Sequence, residues 1–291
     1  MIPPAGEHGG DAAAVARRLG LDPTSMLDLS MSLNPVAPEL RPLLAAHLDA
    51  VATYPDPTCA EAALREQLGR DVLLTNGGAE AIALVAGHLG AVSVLDPEFS
   101  LWRRHAAIEP DAPLARSNPN NPLGILASDD ERADVWDEAF FPLATGRWTR
   151  GDDSIVVGSL TKLFAVPGLR IGYVAADADV LDALRRRQPT WSVNGLACAA
   201  VPAMLERVDL AGWARAIRSL RTDLVDVLRA AGFTARPSDA PWVLVDAPLR
   251  DRLAPHGVVV RDCTSFGLPG ITRIAVPGAR GLERLEAALR A

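Results

Sequence analysis

The chain has 291 residues, 49% of them hydrophobic, enough for one large unit or two modest domains. A net charge of -7 argues against a nucleic-acid partner, and no apolar run approaches the roughly 20 residues of a membrane span. Cys59, Cys198 and Cys263 lie far apart with no CxxC pair, and residues 1–11 lack the basic and apolar regions of a signal peptide; a reduced, cytoplasmic protein without a metal site is expected. Apolar residues at three- and four-residue spacing predict helices over 11–20 and 39–50. Pro35, Pro38, Pro55 and Pro57 mark an irregular path through the same region. Next come a helix at 59–69, a strand at 72–75, a helix at 79–90 and a strand at 92–95. Strands follow at 155–158 and 170–174, then a helix at 177–187 and one long helical stretch over 196–231. Strands at 242–245, 258–261 and 272–276 precede a last helix at 281–290. This alternation predicts an α/β fold with a mostly parallel sheet. The expected division is an N-terminal arm (1–37) joining a small α+β domain (206–291), with a large domain (38–205) between them.

The basic residues are lopsided. Lys and Arg total 29, and Lys occurs once, at Lys162. On a solvated surface either residue serves, but Arg does not release its proton and cannot act as an amine nucleophile. A lone lysine in an arginine-rich chain suggests a role Arg cannot fill, and Schiff-base chemistry is one. Its neighbours sharpen the point. Ser159-Leu160-Thr161-Lys162 follows the strand predicted at 155–158, and Gly168-Leu169-Arg170 comes a few residues on.

This stretch resembles the lysine motif of fold-type I pyridoxal-phosphate (PLP) enzymes, the aspartate-aminotransferase superfamily. The resemblance implies that Lys162 carries the cofactor and that Ser159 and Arg170 reach its phosphate. Other motifs fall in the order that family requires. Asn76-Gly77-Gly78-Ala79 opens a helix, and its N-terminal N–H groups at Gly78 and Ala79 would meet the phosphate. Asn118-Pro119-Asn120-Asn121-Pro122-Leu123-Gly124 resembles the family's Asn-Pro-Thr-Gly loop, with Leu123 where Thr is usual; Asn121 would bond the ring oxygen. In Asp137-Glu138-Ala139-Phe140, Asp137 would pair with the ring nitrogen and keep it protonated. Phe99 matches the aromatic residue lying on the ring. Tyr54 matches a residue that reaches the phosphate of the neighbouring subunit, so a homodimer with shared sites is implied.

Fold alone does not set the reaction. Arg273 matches the family arginine that takes a substrate carboxylate. Arg261 matches one that binds substrate phosphate in the histidinol-phosphate aminotransferase branch. Within that branch the opening His8-Gly9-Gly10-Asp11, the segment Asp28-Leu29-Ser30 with Asn34-Pro35, and Trp191-Ser192-Val193-Asn194 resemble the L-threonine O-3-phosphate decarboxylases. That resemblance implies a small phosphorylated amino acid as substrate, with His8, Asn34 and Asn194 beside it. An aminotransferase, or a trimmed non-catalytic homologue, stays open. Only 16 positions separate Trp102 from Asn118, and 16 separate Asn121 from Asp137. Those spans are short for the family, so a peripheral layer of the large domain is expected to be missing and a sheet face less covered, where a partner could dock.

Overall fold

The computed structural model describes residues 2–291; Met1, the first residue of the expected arm, lies outside them. Its strands are β1 (Leu27–Leu29), β2 (Val72–Thr75), β3 (Ala91–Val92), β4 (Ala107–Ile108), β5 (Ala115–Ser117), β6 (Val135–Asp137), β7 (Ile155–Gly158), β8 (Gly172–Ala175), β9 (Trp242–Val245), β10 (Val258–Asp262) and β11 (Thr272–Ala275). The main sheet runs β2-β8-β7-β6-β5. β5, β6 and β7 are parallel and β8 is antiparallel to both neighbours. Beside β5 lies the parallel pair β3–β4, joined to it by the Ser93–Leu114 bridge. A second sheet runs β1-β10-β11-β9. The N-terminal arm enters it through β1, parallel to β10.

Burial explains the layers. Val72 to Thr75 are buried on both faces, as a continuous apolar run in an α/β sheet requires. One face packs on the helices Gly77–Leu89 and Ala178–Arg185 through Ile82, Val85, Leu181 and Leu184. The opposite face packs on Thr58–Leu68, Gly195–Leu205 and the start of Leu210–Ala230. That last helix joins two cores. Leu210, Trp213 and Ile217 sit under the main sheet, while Leu224 and Leu228 sit under the second.

The long helical stretch expected over 196–231 is two helices. Residues 206–209 break it, and Asp209 caps the second by accepting from Gly212 N at 2.8 Å. The compaction shows in the crossovers. Residues 109–114 and 118–134 carry no helix or strand, although β5 and β6 are parallel neighbours. The face that such helices would cover is closed by side chains instead. Trp136 on β6 is fully buried. Arg150 lies 4.5 Å and Arg116 5.6 Å from its ring centroid, and its indole N–H donates to Asp152 at 3.1 Å. The sheet is therefore not left bare at this place for a partner. Among the described residues no helix is long and apolar enough to cross a membrane, and no group of metal-ligating residues occurs.

Candidate active site

The ends of β6 and β7, the first turn of Gly77–Leu89 and the second sheet enclose a cavity of about 490 Å3. Lys162 lines it from a short helix, Leu160–Leu163, whose N-cap is Ser159. Burial pushes the Lys162 amine down to about 8, helped by the fields of Arg273 and Arg170 and opposed by Asp137. Asp137, at the end of β6, is driven up to about 6 by burial. Its Oδ1 accepts from Ala139 N at 3.0 Å, and no side-chain donor bonds it among the described residues.

A cradle of donors lies at one end. Gly78 and Ala79 sit in the first helical turn, where backbone N–H groups have no intrahelical acceptor. Asn76 N, just before that turn, donates to Glu80 instead, at 2.6 Å. Ser159 and Arg170 complete the cradle. The guanidinium of Arg170 lies so close over Gly77 that a Cβ there would stand 2.4 Å from Nη2. The Arg170 side chain could shift, but Gly77 also holds φ +79, a conformation that favours glycine.

At the other end, Arg261 on β10 and Arg273 on β11 are direct cross-strand partners. They are 2% and 7% exposed, and neither has a carboxylate partner among the described residues. Like charges placed opposite one another repel. Burial depresses both, Arg273 to about 10. Arg273 donates to Asn121 Oδ1 at 2.6 Å and packs 5.0 Å from the Trp242 ring centroid. Arg261 donates to the carbonyls of Gly6 and Glu7 and to Ser265 Oγ. It thereby holds the arm so that His8 reaches the cavity, its ring 5.8 Å from that of Phe99. Gly9 makes this path possible, because a Cβ there would meet Ser30 O at 2.4 Å.

Residues 109–291 match the family described as Aminotransferase class I and II. The chain belongs to the class I and II aminotransferase family. It is 30% identical to the threonine-phosphate decarboxylase of Salmonella typhimurium, across 97% of this chain and 95% of that protein. The matched span of 357 positions exceeds the chain's own length, so the chain covers that relative with deletions. It is also 30% identical to the histidinol-phosphate aminotransferase of Symbiobacterium thermophilum, across 94% of this chain and 93% of that one. In fold it superposes on the histidinol-phosphate aminotransferase of Sinorhizobium meliloti, solved in complex with pyridoxal-5'-phosphate, with a TM-score of 0.80 at 18% identity and 95% and 92% coverage. A fold-type I architecture is thus established.

Eleven of the residues singled out for this family line the one cavity: His8, Gly78, Ala79, Phe99, Asn121, Asp137, Ser159, Lys162, Arg170, Arg261 and Arg273. Three do not. Asn34 is buried, donating to Leu163 O at 2.9 Å and accepting from Val36 N at 3.0 Å. Asn194 donates to Leu169 O at 2.8 Å and caps the next helix by accepting from Ala197 N. With their amides committed to backbone, both clamp the Lys162–Arg170 segment from outside and do not face the substrate space. Tyr54 is 75% exposed and stacks on Trp191, 4.2 Å between centroids, away from this chain's cavity. Arg104 and His105 also line the mouth, from the short helix Leu101–His105, which carries too few residues to show a period.

The buried acids make folding pH-dependent. Burial lifts Glu98 and Glu138 to about 7 and Asp137 to about 6. Each binds its proton more tightly in the folded chain than in the unfolded one. The stability they lend is fully present below the ordinary carboxylate range and is lost as pH rises through 6 and 7. His8, lowered chiefly by burial, opposes them with a single proton. The cofactor-free protein should melt about 5 °C lower at pH 7.5 than at pH 5. A melting temperature that rises across that window would contradict the burial of these groups.

Proposed function

We propose that this chain decarboxylates L-threonine O-3-phosphate to (R)-1-amino-2-propanol phosphate, a step of cobalamin biosynthesis. It is a PLP-dependent enzyme, and the cavity fits that cofactor. A buried carboxylate in the cavity without a cationic bond among the described residues, Asp137, would suit a ring N–H. Free helical N–H groups with Ser159 and Arg170 offer a phosphate cradle. When bound, the cofactor supplies an electron sink for the pair left at Cα when a bond there breaks.

The chain's own residues do the rest. Lys162 presents an amine whose proton burial and two arginines make easier to lose. Phe99 and Asn121 bound the ring space, and Phe140 stands near the amine, its centroid 5.7 Å from Nζ. The single observation that carries the substrate reading is the buried, acid-free pair Arg261–Arg273. Two buried guanidinium groups without a carboxylate bond among the described residues, with His8 and Arg104 nearby, suit a substrate with two anionic groups. Arg273 then takes the carboxylate and Arg261 the phosphate. Residues 6–7 lie against Arg261 at the phosphate end. An aminotransferase acting on a phosphorylated amine uses the same anion pair, and the second 30%-identical relative favours keeping it as the alternative.

Incubation with threonine phosphate separates the two. Carbon dioxide released without a 2-oxoacid acceptor is the expected result, with one product amine for each substrate consumed. Turnover that depends on an acceptor would establish the aminotransferase instead. A homodimer with shared sites belongs to the same proposal. Leu48, Val51, Tyr54 and Trp191 are 53%, 69%, 75% and 57% exposed, an apolar patch of the sort a second copy covers. Sedimentation should give twice the chain mass, and Trp191→Glu should give monomers; a monomeric parent chain would remove this part of the reading.

A further inference from the structure

Glu98 is a buried acid that the chemistry above leaves unused. It is 6% exposed and immediately precedes Phe99. Its Oε1 accepts from Phe99 N at 2.7 Å and from Ser117 Oγ, and its Oε2 accepts from Ser117 N at 2.8 Å. Ser117 Oγ in turn accepts from Asn121 N at 3.1 Å, and Asn121 Oδ1 accepts from Arg273. One carboxylate therefore ties the backbone of the aromatic wall to the loop that carries Asn121, and through it reaches the arginine pair.

Every bond to Glu98 is donated to it. This arrangement suits the ionised form; on protonation the Ser117 hydroxyl must turn from donor to acceptor and give up its bond to the carboxylate. Burial works against that form and lifts the group to about 7, with the field of Asp137 on β6 adding to it. The remaining charged neighbours are engaged elsewhere. Asp96 and Arg103 pair with each other at 2.6 Å along the rim of an adjoining cleft that Glu98 also lines. Arg116, beside Ser117 on β5, pairs with Glu131. Among the described residues nothing cationic bonds Glu98, so its charge rests on three hydrogen bonds.

We infer that Glu98 is a positioning residue: as a carboxylate it locks Phe99 and, through Ser117, the Asn121 loop around the cofactor ring, and taking up a proton loosens both. This rests on the reading of Phe99 and Asn121 as ring contacts. The test is PLP affinity, read from the visible absorbance and circular dichroism of the bound cofactor at pH 6 and pH 8. The proteins are the parent chain, Glu98→Gln and Ser117→Ala. Glu98→Gln should bind PLP about tenfold more weakly than the parent at pH 8 and about equally at pH 6, because the parent is itself protonated there. A residue that merely filled space would weaken binding by the same factor at both values, and that result overturns the inference. Should Glu98→Gln fail to fold, Ser117→Ala, which keeps the acid but cuts its link to Asn121, must show the same pH-dependent gap; parent-like binding at both values also overturns it. A parent chain that takes up no PLP brings down the site reading itself, whereas PLP uptake without the pH-dependent gap brings down this inference alone.

Discussion

Lys162→Ala and Lys162→Arg should both lose about four orders of magnitude of turnover, the upper end of what a positioned proton-transfer group contributes. The two substitutions fail for different reasons. Alanine removes the amine. Arginine keeps the charge and much of the length but holds its proton at every working pH, so it offers no nucleophile. The native amine stands between these limits, because burial and the fields of Arg273 and Arg170 bring it to about 8. Roughly a quarter is then neutral at pH 7.5. The sign follows: the neutral fraction grows as pH rises through 8, so cofactor loading should speed up between pH 7 and 9. The stability lent by the neutral amine is likewise lost as pH falls through 8. Melting temperatures near that of the parent would show that chemistry, not folding, is lost. Turnover in Lys162→Arg within tenfold of the parent would remove the lysine from its assigned role.

Why that residue was legible in the sequence while others were not has a physical reason. Ser159, Lys162 and Arg170 come from one short stretch after a β-branched strand, so linear spacing fixes their arrangement. The strand itself, Ile155–Gly158, has enough Val and Ile to show. β6 has three residues, Val135-Trp136-Asp137, and β5 is Ala115-Arg116-Ser117. Neither is long enough to show a period of two, and β5 carries an arginine on the face closed by Trp136. Asp137 is legible from its motif, not from its strand. Asn34 and Asn194 show the reverse case. The motif places both beside the substrate, whereas each side chain folds back: both donate to a backbone carbonyl, Asn34 accepts from Val36 N, and Asn194 caps a helix. Glu98 carries no comparable signal: nothing in the linear sequence marks it until the loop carrying Ser117 is folded against it.

Arg273→Lys should lower kcat/KM for threonine phosphate by about 100- to 1000-fold, as expected when a buried bidentate charge contact is cut. The native guanidinium donates to Asn121 Oδ1 at 2.6 Å and to Ser30 O at 3.4 Å, and packs on Trp242. An ammonium cannot keep the Asn121 bond, the aromatic contact and a two-pronged grip on an anion at once. The sharper measurement is the affinity of the product, which keeps the phosphate but lacks the carboxylate. If Arg273 holds the carboxylate and Arg261 the phosphate, product inhibition in Arg273→Lys should weaken by less than about threefold, while substrate binding weakens by the full factor. Arg261→Lys should do the opposite and weaken both. Product affinity falling with substrate affinity in Arg273→Lys would reverse the two arginines. A carboxylate gripped by a buried guanidinium is stabilised in the ground state, and the grip is lost as carbon dioxide forms. In a decarboxylase the Arg273 contact therefore serves affinity and orientation, not the bond-breaking itself, and Arg273→Lys should raise KM more than it lowers kcat.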